Sequence, residues 1–263
     1  MRVIKVNLPR DLKYVNIHVL SDWHLGDANC KLDDIKEIIK SIANNKNSYA
    51  LINGDLINNA IKSSVSDIYS EKLSPMEQID MAYELLSPIK HKILGVTSGN
   101  HENRSYKDSG VDLTAFLATK LGVVDKYDPI ATAIYLRVGE QNKKATGKPD
   151  VKRQICYKIY MTHGANSGRT EGSKVNALVR LQSVIDADIY IHSHTHQGAV
   201  LKSVRLKMDD RNSAVSEEEV LFVNSAAQLS YGGYGEKFSF KPTSTKQPVI
   251  HLSGEKKLFE ATL

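Results

Sequence analysis

Side chains that can bind metal ions or transfer protons follow five separate apolar segments of this 263-residue chain. Imidazole, carboxylate and amide groups suit divalent cations, and histidine also exchanges protons near neutral pH. One Asp-x-His pair often occurs by chance, but five such groups in one chain indicate a common metal-binding site. The groups are Asp22 and His24, Asp55, Asn100 and His101, His163, and His194 and His196.

The segments that precede these groups are strand patterns, and they alternate with helical patterns. The predicted strands cover residues 14–20, 49–52, 92–97, 133–138, 155–161, 189–191, 200–207 and 220–223. The predicted helices cover residues 35–42, about 74–86, 111–121 and 175–185. This order predicts an α/β fold with helices on the faces of a sheet. Ligands bind at strand ends in such folds, so the five groups are expected to converge on one edge.

Local signals define the first two helices. Asp33 and Asp34 are candidate N-terminal caps of the first helix, whose apolar residues recur at helical spacing. Ser74 and Pro75 predict the start of the second helix, because proline is tolerated in a first turn. Met76 is expected to point inward with the other apolar residues of that helix.

A single domain spanning residues 1–263 is expected, because the chain has no long linker, repeat or low-complexity segment. Within it, residues 139–153 are expected to form a basic insert between two strands, and residues 231–263 an irregular C-terminal tail. The composition excludes collagen, coiled coil and disorder. The net charge of +5 favours anionic partners, but it is lower than expected of a dedicated nucleic-acid binder.

Cysteine usage and hydropathy indicate a cytoplasmic protein that does not enter a membrane. Cys30 and Cys156 match no zinc or redox spacing, and one possible pair in a chain of this length favours a reducing compartment. No window reaches ~18 consecutive apolar residues, the length needed to span a membrane. The first residues also lack the apolar stretch of a signal peptide.

The five groups, in their order, resemble the motifs of calcineurin-like metallophosphoesterases, and the small bacterial or phage-type members in particular. The matching segments are Asp22-Trp23-His24, Gly54-Asp55-Leu56-Ile57-Asn58, Gly99-Asn100-His101-Glu102, His163-Gly164 and His194-Thr195-His196. Two departures concern the backbone only: Ser193 stands where many members have glycine, and His163 precedes its glycine. The resemblance implies a four-layer αββα sandwich of two mixed sheets, with a dinuclear metal site at the carboxyl ends of strands.

The same resemblance implies two divalent ions, for which Mn²⁺ is expected and Fe or Zn²⁺ also suit the donors. The first ion would be held by Asp22, His24, Asp55 and His196. The second would be held by Asp55, Asn100, His163 and His194, so that Asp55 bridges the two. A hydroxide formed at the dinuclear centre would then attack phosphorus.

Further roles follow from positions inside the motifs. His101 matches the family histidine that protonates the leaving group or stabilises the transition state. Arg104 is a candidate phosphate contact. Glu102 is placed either to influence His101 or to hydrogen-bond the loop, and Trp23 either to stack on substrate or to anchor its loop. His192 is expected to play a structural role, because both metal sites are already filled.

The resemblance implies a metal-dependent phosphoester hydrolase, and a phosphodiesterase or phosphatase is the leading interpretation. A nuclease acting on DNA or RNA is the alternative, with residues such as Lys143, Lys144 and Arg153 of the basic insert as its support. A non-catalytic protein-binding scaffold is less favoured, because all seven ligand positions are filled. The expected partner is a phosphoester substrate, possibly a nucleotide or nucleic acid. The oligomeric state and the physiological substrate are not indicated.

Overall fold

A computed structural model describes residues 1–64, 66, 68–143, 151–166, 168–209 and 212–263. The strands are β1 Arg2–Asn7, β2 Tyr14–Leu20, β3 Ser48–Asn53, β4 Ile93–Thr97, β5 Tyr127–Asp128, β6 Ala131–Lys143, β7 Val151–Thr162, β8 Ile189–His192, β9 Ala199–Asp209, β10 Ala214–Asn224, β11 Val249–Ser253 and β12 Phe259–Thr262. The helices are α1 Leu32–Asn44, α2 Pro75–Leu86, α3 Glu102–Ser109, α4 Leu113–Leu121, α5 Glu171–Val179 and α6 Gly233–Lys237.

The strands form two mixed sheets of six strands each. The first sheet has the order β1-β6-β7-β8-β10-β9, in which β7, β8 and β10 run parallel. The second sheet has the order β12-β11-β2-β3-β4-β5, in which β2 to β5 run parallel. The strands followed by the predicted metal donors therefore lie in the parallel part of each sheet, where their carboxyl ends share an edge.

Three apolar clusters show how the layers pack. The central cluster joins the facing sides of the two sheets, with Ile17 from β2 and Ile191 from β8 among its buried residues. A second cluster packs α1, α2 and α4 on the outer face of the second sheet. A third packs α5 on the outer face of the first sheet, where Leu178 meets Phe222. This is the expected αββα sandwich of two mixed sheets flanked by helices.

The helix ends differ in detail from the sequence expectation. Ser74 caps α2 in a capping box with Glu77, as the Ser-Pro start predicts. Asp33 and Asp34 lie in the first turn of α1 rather than at its cap, which is Lys31. They still favour the helix, because acidic groups stabilise its positive end. Met76 is 48% exposed, so the expectation that it points inward is wrong.

Two further expectations need correction. The insert at residues 139–153 is shorter than predicted, because β6 runs to Lys143 and β7 begins at Val151; residues 144–150 lie outside the described residues. The tail at 231–263 is not irregular throughout, because it contains α6, β11 and β12. Strand β11 pairs antiparallel with β2 and completes the second sheet beside the central core. Within the described residues, no helix has the length and apolar character required to cross a membrane.

Candidate metal centre

The predicted donors converge at the carboxyl edge of both sheets. Asp22 and His24 follow β2, Asp55 follows β3, and Asn100 and His101 follow β4 in the second sheet. The first sheet supplies the remaining donors from beyond β7 and β8, namely His163, His194 and His196. Their imidazole and carboxylate atoms form three overlapping groups, each with its atoms within 4.8 Å of one another.

The first group consists of Asp22, His24 and His196. The Nε2 atoms of His24 and His196 lie 3.1 Å apart, and His196 Nε2 lies 3.4 Å from Asp22 Oδ1. Asp22 Oδ1 is buried and has no hydrogen-bond partner among the described residues. A buried carboxylate oxygen is costly without a partner, and two facing imidazole nitrogens have lone pairs to direct at a shared ion. This arrangement fits a divalent cation.

The second group consists of Asp55, His163 and His194, with Asn100 beside it. His163 Nε2 lies 3.2 Å from both Asp55 Oδ2 and Asn100 Oδ1. His194 Nδ1 lies 2.6 Å from Asn100 Oδ1. His163 Nδ1–H donates to the backbone carbonyl of Asn53 at 2.6 Å, which turns Nε2 toward the other donors. These nitrogen and oxygen donors also suit a divalent cation.

His101 lies between the two groups. Its ring meets that of His24 edge-on at a centroid distance of 4.4 Å, and its Nε2 is 3.8 Å from Asp55 Oδ2. His101 Nδ1–H donates to the carbonyl of Asn58 at 2.8 Å, while Arg104 Nη2 donates to His101 Nε2 at 3.1 Å. Arg104 also donates to the Asn58 carbonyl at 2.9 Å. The structure therefore brings both residues to the centre and joins them.

The electrostatics favour a bound cation. Burial opposes ionisation of Asp22, but the neighbouring His196 and His163 lower its pKa to about 2. Burial likewise opposes protonation of His163, yet the adjacent Asp55 carboxylate raises its pKa to about 10. Burial, together with the charge of His163, lowers the pKa of His194 to about 4. A metal ion at the second group would thus replace the proton that His163 otherwise carries.

The backbone is strained at the donors themselves. Positive φ angles between 50° and 67° occur at Asp22, His24, Asp55, His194 and His196. Side chains rarely adopt this left-handed region, which costs of order 1–3 kcal/mol per residue and persists where packing holds it. Strain concentrated in this way is typical of functional sites. Gly99 permits the close approach of two loops, since a Cβ there would lie 2.0 Å from Asp55 Oδ1.

A buried polar network that the sequence analysis missed orients the donors. Asn53 Nδ2 donates to Ser193 Oγ at 2.6 Å. Ser225 Oγ donates to Asp22 Oδ2 at 3.0 Å and lies 2.8 Å from Ser193 Oγ. Ser193, the departure from the family glycine, therefore links the strand ends of both sheets. The sequence contains one signal of this network: Asn53 is a polar residue at the end of an apolar strand, directly before Gly54.

The structure shows the contacts of three residues whose roles the sequence left open or only suggested. Glu102 hydrogen-bonds the backbone of the loop after β3, at Leu56 N (2.7 Å) among others. Trp23 is fully buried in the core beneath α1 and α2, so it anchors its loop and offers no surface to substrate. His192 belongs to none of the donor groups, and its Nδ1–H donates to Asn224 Oδ1 at 2.8 Å.

The structure also contains a cavity of about 320 Å³. It lies between α5 and the loop that begins at Gly164, directly after His163. His192, two residues before His194, forms part of its wall. None of the metal donors is among the residues that line it.

The solved structures to which the chain is similar share little sequence with it. A predicted phosphoesterase from Streptococcus pneumoniae TIGR4 is 15% identical, with a TM-score of 0.38, and the match covers 95% of this chain and 98% of that one. A metallophosphoesterase from Sphaerobacter thermophilus is 12% identical, with a TM-score of 0.37 and coverage of 95% and 89%. The nuclease MPE of Pseudomonas putida is 10% identical, with a TM-score of 0.35 and coverage of 94% and 87%. No curated protein matches the chain.

The amino-acid sequence shows the family of the chain. The structures above do not, because their TM-scores all lie below 0.5. The model described as calcineurin-like phosphoesterase matches residues 15–198, more than half of the chain. That segment runs from β2 to beyond β8 and contains all the donors described above. The chain belongs to the calcineurin-like phosphoesterase family and is a phosphoric ester hydrolase of the kind that uses divalent metal ions.

Proposed function

We propose that the chain is a phosphodiesterase or phosphatase that acts at a pair of divalent ions. The observation that carries this proposal is the joining of two donor groups through Asp55. One group contains Asp22, His24 and His196, the other Asp55, His163 and His194, and a third overlaps both through His24 and Asp55. Two such groups side by side suit a two-ion centre for phosphoryl transfer.

We assign the first ion to Asp22, His24, Asp55 and His196, and the second to Asp55, Asn100, His163 and His194. Two divalent ions bound there would polarise the phosphoryl oxygens and lower the pKa of water. Only Asp22 and Asp55 are carboxylates, so the loaded centre keeps a formal surplus of positive charge for the substrate. Mn²⁺ is the metal we expect, because the set combines imidazoles with hard oxygen donors.

His101 is the residue we assign to the leaving group. Its side chain is 15% exposed beside Asp55 and His24, and the Asn58 carbonyl fixes its orientation. Its Nε2 faces Arg104, whose guanidinium is held by the same carbonyl and can contact a phosphate oxygen.

Arg104→Gln is therefore expected to raise KM by about fivefold or more, because the substrate phosphate would lose a charge-assisted hydrogen bond. An unchanged KM would contradict the phosphate contact.

A screen on metal-reconstituted protein tests the proposal. The protein is stripped with a chelator, loaded with Mn²⁺, Fe²⁺ or Zn²⁺, and assayed on bis-p-nitrophenyl phosphate, p-nitrophenyl phosphate and cyclic nucleotides. We expect turnover that needs the added metal and that disappears in Asp55→Asn. Stoichiometric metal binding without turnover of any ester would overturn the proposal and favour the scaffold.

A nuclease is the second candidate, and an aromatic segment over residues 231–241 favours it. This segment begins beside the loop after β2, where Ser230 N donates to the Asn29 carbonyl at 2.9 Å. It ends beside the loop after β7, where the Arg169 guanidinium lies 5.4 Å from the Phe240 ring. Tyr231 is 53% exposed and Phe238 39% exposed. Exposed rings with nearby cations bind single-stranded nucleic acid by stacking and charge.

Binding of a single-stranded oligonucleotide at several salt concentrations tests the nuclease. We expect affinity to fall steeply with salt, with a slope of about −0.7 per phosphate contacted. Tyr231→Leu should weaken binding by roughly fivefold or more, the loss expected for one stacked base. Phe116→Leu, which alters an exposed ring of α4, is the matched control. Salt-independent binding, or equal affinities of Tyr231→Leu and the unaltered protein, would exclude this candidate.

We also propose a cytoplasmic location, as the cysteine content suggests. Cys30 and Cys156 are both free thiols. Burial, with a smaller contribution from Asp27, raises the pKa of Cys30 to about 12, so this thiol stays protonated and unreactive. Fractionation of cells that produce the tagged protein tests the location.

A further inference from the structure

One peptide group in the loop after β3 orients both His101 and Arg104. The carbonyl of Asn58 accepts the hydrogen bonds of His101 Nδ1–H at 2.8 Å and of Arg104 Nη1 at 2.9 Å. The N–H of the same peptide group belongs to Asn59, and it donates to Gln78 Oε1 of α2 at 2.8 Å. A rotation of this peptide plane would therefore displace two residues of the proposed centre together.

The backbone directly after this carbonyl has an uncommon conformation. Asn59 has a φ of +45°, in the left-handed region that residues other than glycine seldom adopt. Such a conformation persists where the surrounding contacts hold it. The side chains that flank this peptide group are therefore expected to decide where the Asn58 carbonyl points.

The carboxylate of Glu71 holds both of those side chains. Glu71 Oε1 accepts from Asn58 Nδ2, and Oε2 accepts from Gln78 Nε2, both at 2.5 Å. The Gln78 amide cannot exchange its two ends without loss, because Nε2 also donates to the Leu73 carbonyl at 2.8 Å while Oε1 accepts from Asn59 N. Hydrogen bonds to a carboxylate are stronger than those between neutral groups. Glu71 thus fixes the peptide group from both sides.

Glu71 is enclosed at this position and is not itself a donor of the metal centre. A Cβ added to Gly26 would lie 2.7 Å from Glu71 Oε2, so the loop after β2 packs directly against the carboxylate. Burial raises the pKa of Glu71, whereas its hydrogen bonds and the charge of Arg104 oppose this shift. Glu71 belongs to none of the donor groups that the described residues form. Its influence on the centre is therefore expected to pass through Asn58 and Gln78.

We propose that Glu71 is a positioning residue that sets the orientation of His101 and Arg104 through the Asn58 carbonyl. The inference rests on the proposed function, because it concerns the roles assigned to those two residues. In the reaction, the oxygen of water bonds to phosphorus and the P–O bond to the leaving group breaks. Water gives up one proton, and the departing oxygen takes one up. A rotated Asn58 carbonyl would withdraw His101 from the departing oxygen without removing a metal donor.

Two esters that differ only in their leaving group test this inference. Phenolate is more basic than p-nitrophenolate, so phenyl phosphate depends more on a proton delivered to the departing oxygen than p-nitrophenyl phosphate does. Glu71→Gln leaves one acceptor oxygen for two N–H groups. We expect its kcat to fall about tenfold more on phenyl phosphate than on p-nitrophenyl phosphate, since proton transfer contributes about 10²–10⁴ in rate. The methyl diesters of both compounds give the same comparison if the protein hydrolyses diesters alone.

A double-mutant cycle with Arg104→Gln tests the second contact. Glu71→Gln should raise KM by about threefold or more in the unaltered protein, the effect of weakening one hydrogen bond to the substrate. In the Arg104→Gln background the same change should leave KM as it is, because the residue through which it acts is already absent. Additive effects of the two changes on KM would show that Glu71 does not act through Arg104.

Further variants separate positioning from a general loss of structure. Gln78→Met removes the other support of the peptide group and should give the same difference between the two esters. Glu71→Asp keeps both acceptor oxygens and should show a smaller difference, and it serves if Glu71→Gln does not fold. Glu84→Gln, at an exposed position of α2, is the matched control and should change neither ester. Metal content should stay near two ions per chain in every variant.

Two results would overturn the positioning role. One is an equal loss on both esters in the Glu71 and Gln78 variants, and the other is unchanged kinetics in all of them. If the unaltered, metal-loaded protein hydrolyses neither ester, the proposed function fails instead, and it fails before any variant is compared.

Discussion

The carboxylate of Glu102 accepts a hydrogen bond from the backbone N–H of Asp55 at 3.0 Å. It also accepts from Leu56 N at 2.7 Å and from Gly99 N at 3.0 Å. One buried side chain thereby joins the loop after β3 to the loop after β4. Burial, with the nearby Asp55 carboxylate, raises the pKa of Glu102 to about 7. Glu102 thus fixes the backbone of Asp55, which is the proposed bridging ligand.

Glu102→Gln should lower activity and stability together. Both carboxylate oxygens accept backbone N–H groups, so an amide must direct its own N–H₂ at one of them. Leaving buried donors unpaired costs about 1–3 kcal/mol, which is measurable by urea denaturation. We expect hydrolysis of bis-p-nitrophenyl phosphate to fall about tenfold or more, because Asp55 loses its fixed position. Glu37→Gln, on the exposed face of α1, is the control. Equal activity and equal unfolding free energy of the two variants would contradict the role of Glu102 in holding the two loops together.

His101→Ala should abolish turnover while metal content stays near two ions per chain. His101 forms the third group with His24 and Asp55 but is not one of the seven proposed ligands. Loss of a proton-transferring group lowers rates by about 10²–10⁴. Metal content by mass spectrometry and turnover of p-nitrophenyl phosphate are measured on the same samples. Asp55→Asn provides the contrast, because it should lose both metal and activity. Full activity in His101→Ala would exclude the assigned role.

Lys92→Met should destabilise the fold without altering the centre. The buried Lys92 ammonium donates to the carbonyls of Ile42 (2.6 Å), Ala43 (3.2 Å) and Asn45 (2.8 Å) at the end of α1. The last carbonyls of a helix have no partner within it, and the Lys92 ammonium supplies one. Loss of these hydrogen bonds should lower the free energy of unfolding by about 2 kcal/mol. Urea denaturation measures the change, with Lys40→Met on the exposed face of α1 as control. A loss no larger than that of the control would show that water replaces the ammonium.

His18 should make the folded state less stable in mild acid. Burial, with a smaller contribution from the charge of His251, lowers the pKa of His18 from 6.5 to about 4. The unfolded chain therefore takes up a proton as the pH falls below 6.5, whereas the folded chain does not until about pH 4. The free energy of unfolding therefore falls by on the order of 3 kcal/mol as the pH is lowered from 6.5 to about 4.

His18→Gln removes this linkage and should flatten the pH dependence of the unfolding free energy between pH 6.5 and 4. Urea titrations at closely spaced pH values give the comparison. His91→Gln, the same change at an exposed histidine, is the control and should keep the steep dependence. Parallel pH curves for His18→Gln and the unaltered protein would show that the pKa of His18 is the same in the folded and unfolded states.

Sequence patterns predicted the donor-bearing strands because each is an apolar run that stops abruptly at polar residues. Tyr14–Leu20 before Asp22 and Ile189–His192 before His194 are examples. Parallel pairing then brings the ends together, so the convergence follows from topology. The sequence left the role of Glu102 open between His101 and the loop, because its partners are backbone N–H groups that have no signature in the sequence.

Elements without apolar periodicity were missed for a related reason. Helix α3 is almost wholly polar, and Glu102 is its one fully buried residue among Glu102–Ser109. Strands β11 and β12 are only five and four residues long, too short for alternation to stand out. Strand β11 pairs with β2 across more than 200 residues of sequence, and β12 pairs with β11. Tertiary contacts, rather than local propensity, define these elements.

The left-handed backbone at the metal donors has a consequence for protein engineering. Replacing His194 or His196 by glycine would relieve a conformation that glycine adopts freely, and the same change would remove a proposed ligand. Selection for heat resistance alone, in medium depleted of metal, should therefore enrich variants that have lost the site. Selection in the presence of metal should retain it, because bound ions stabilise only the folded form.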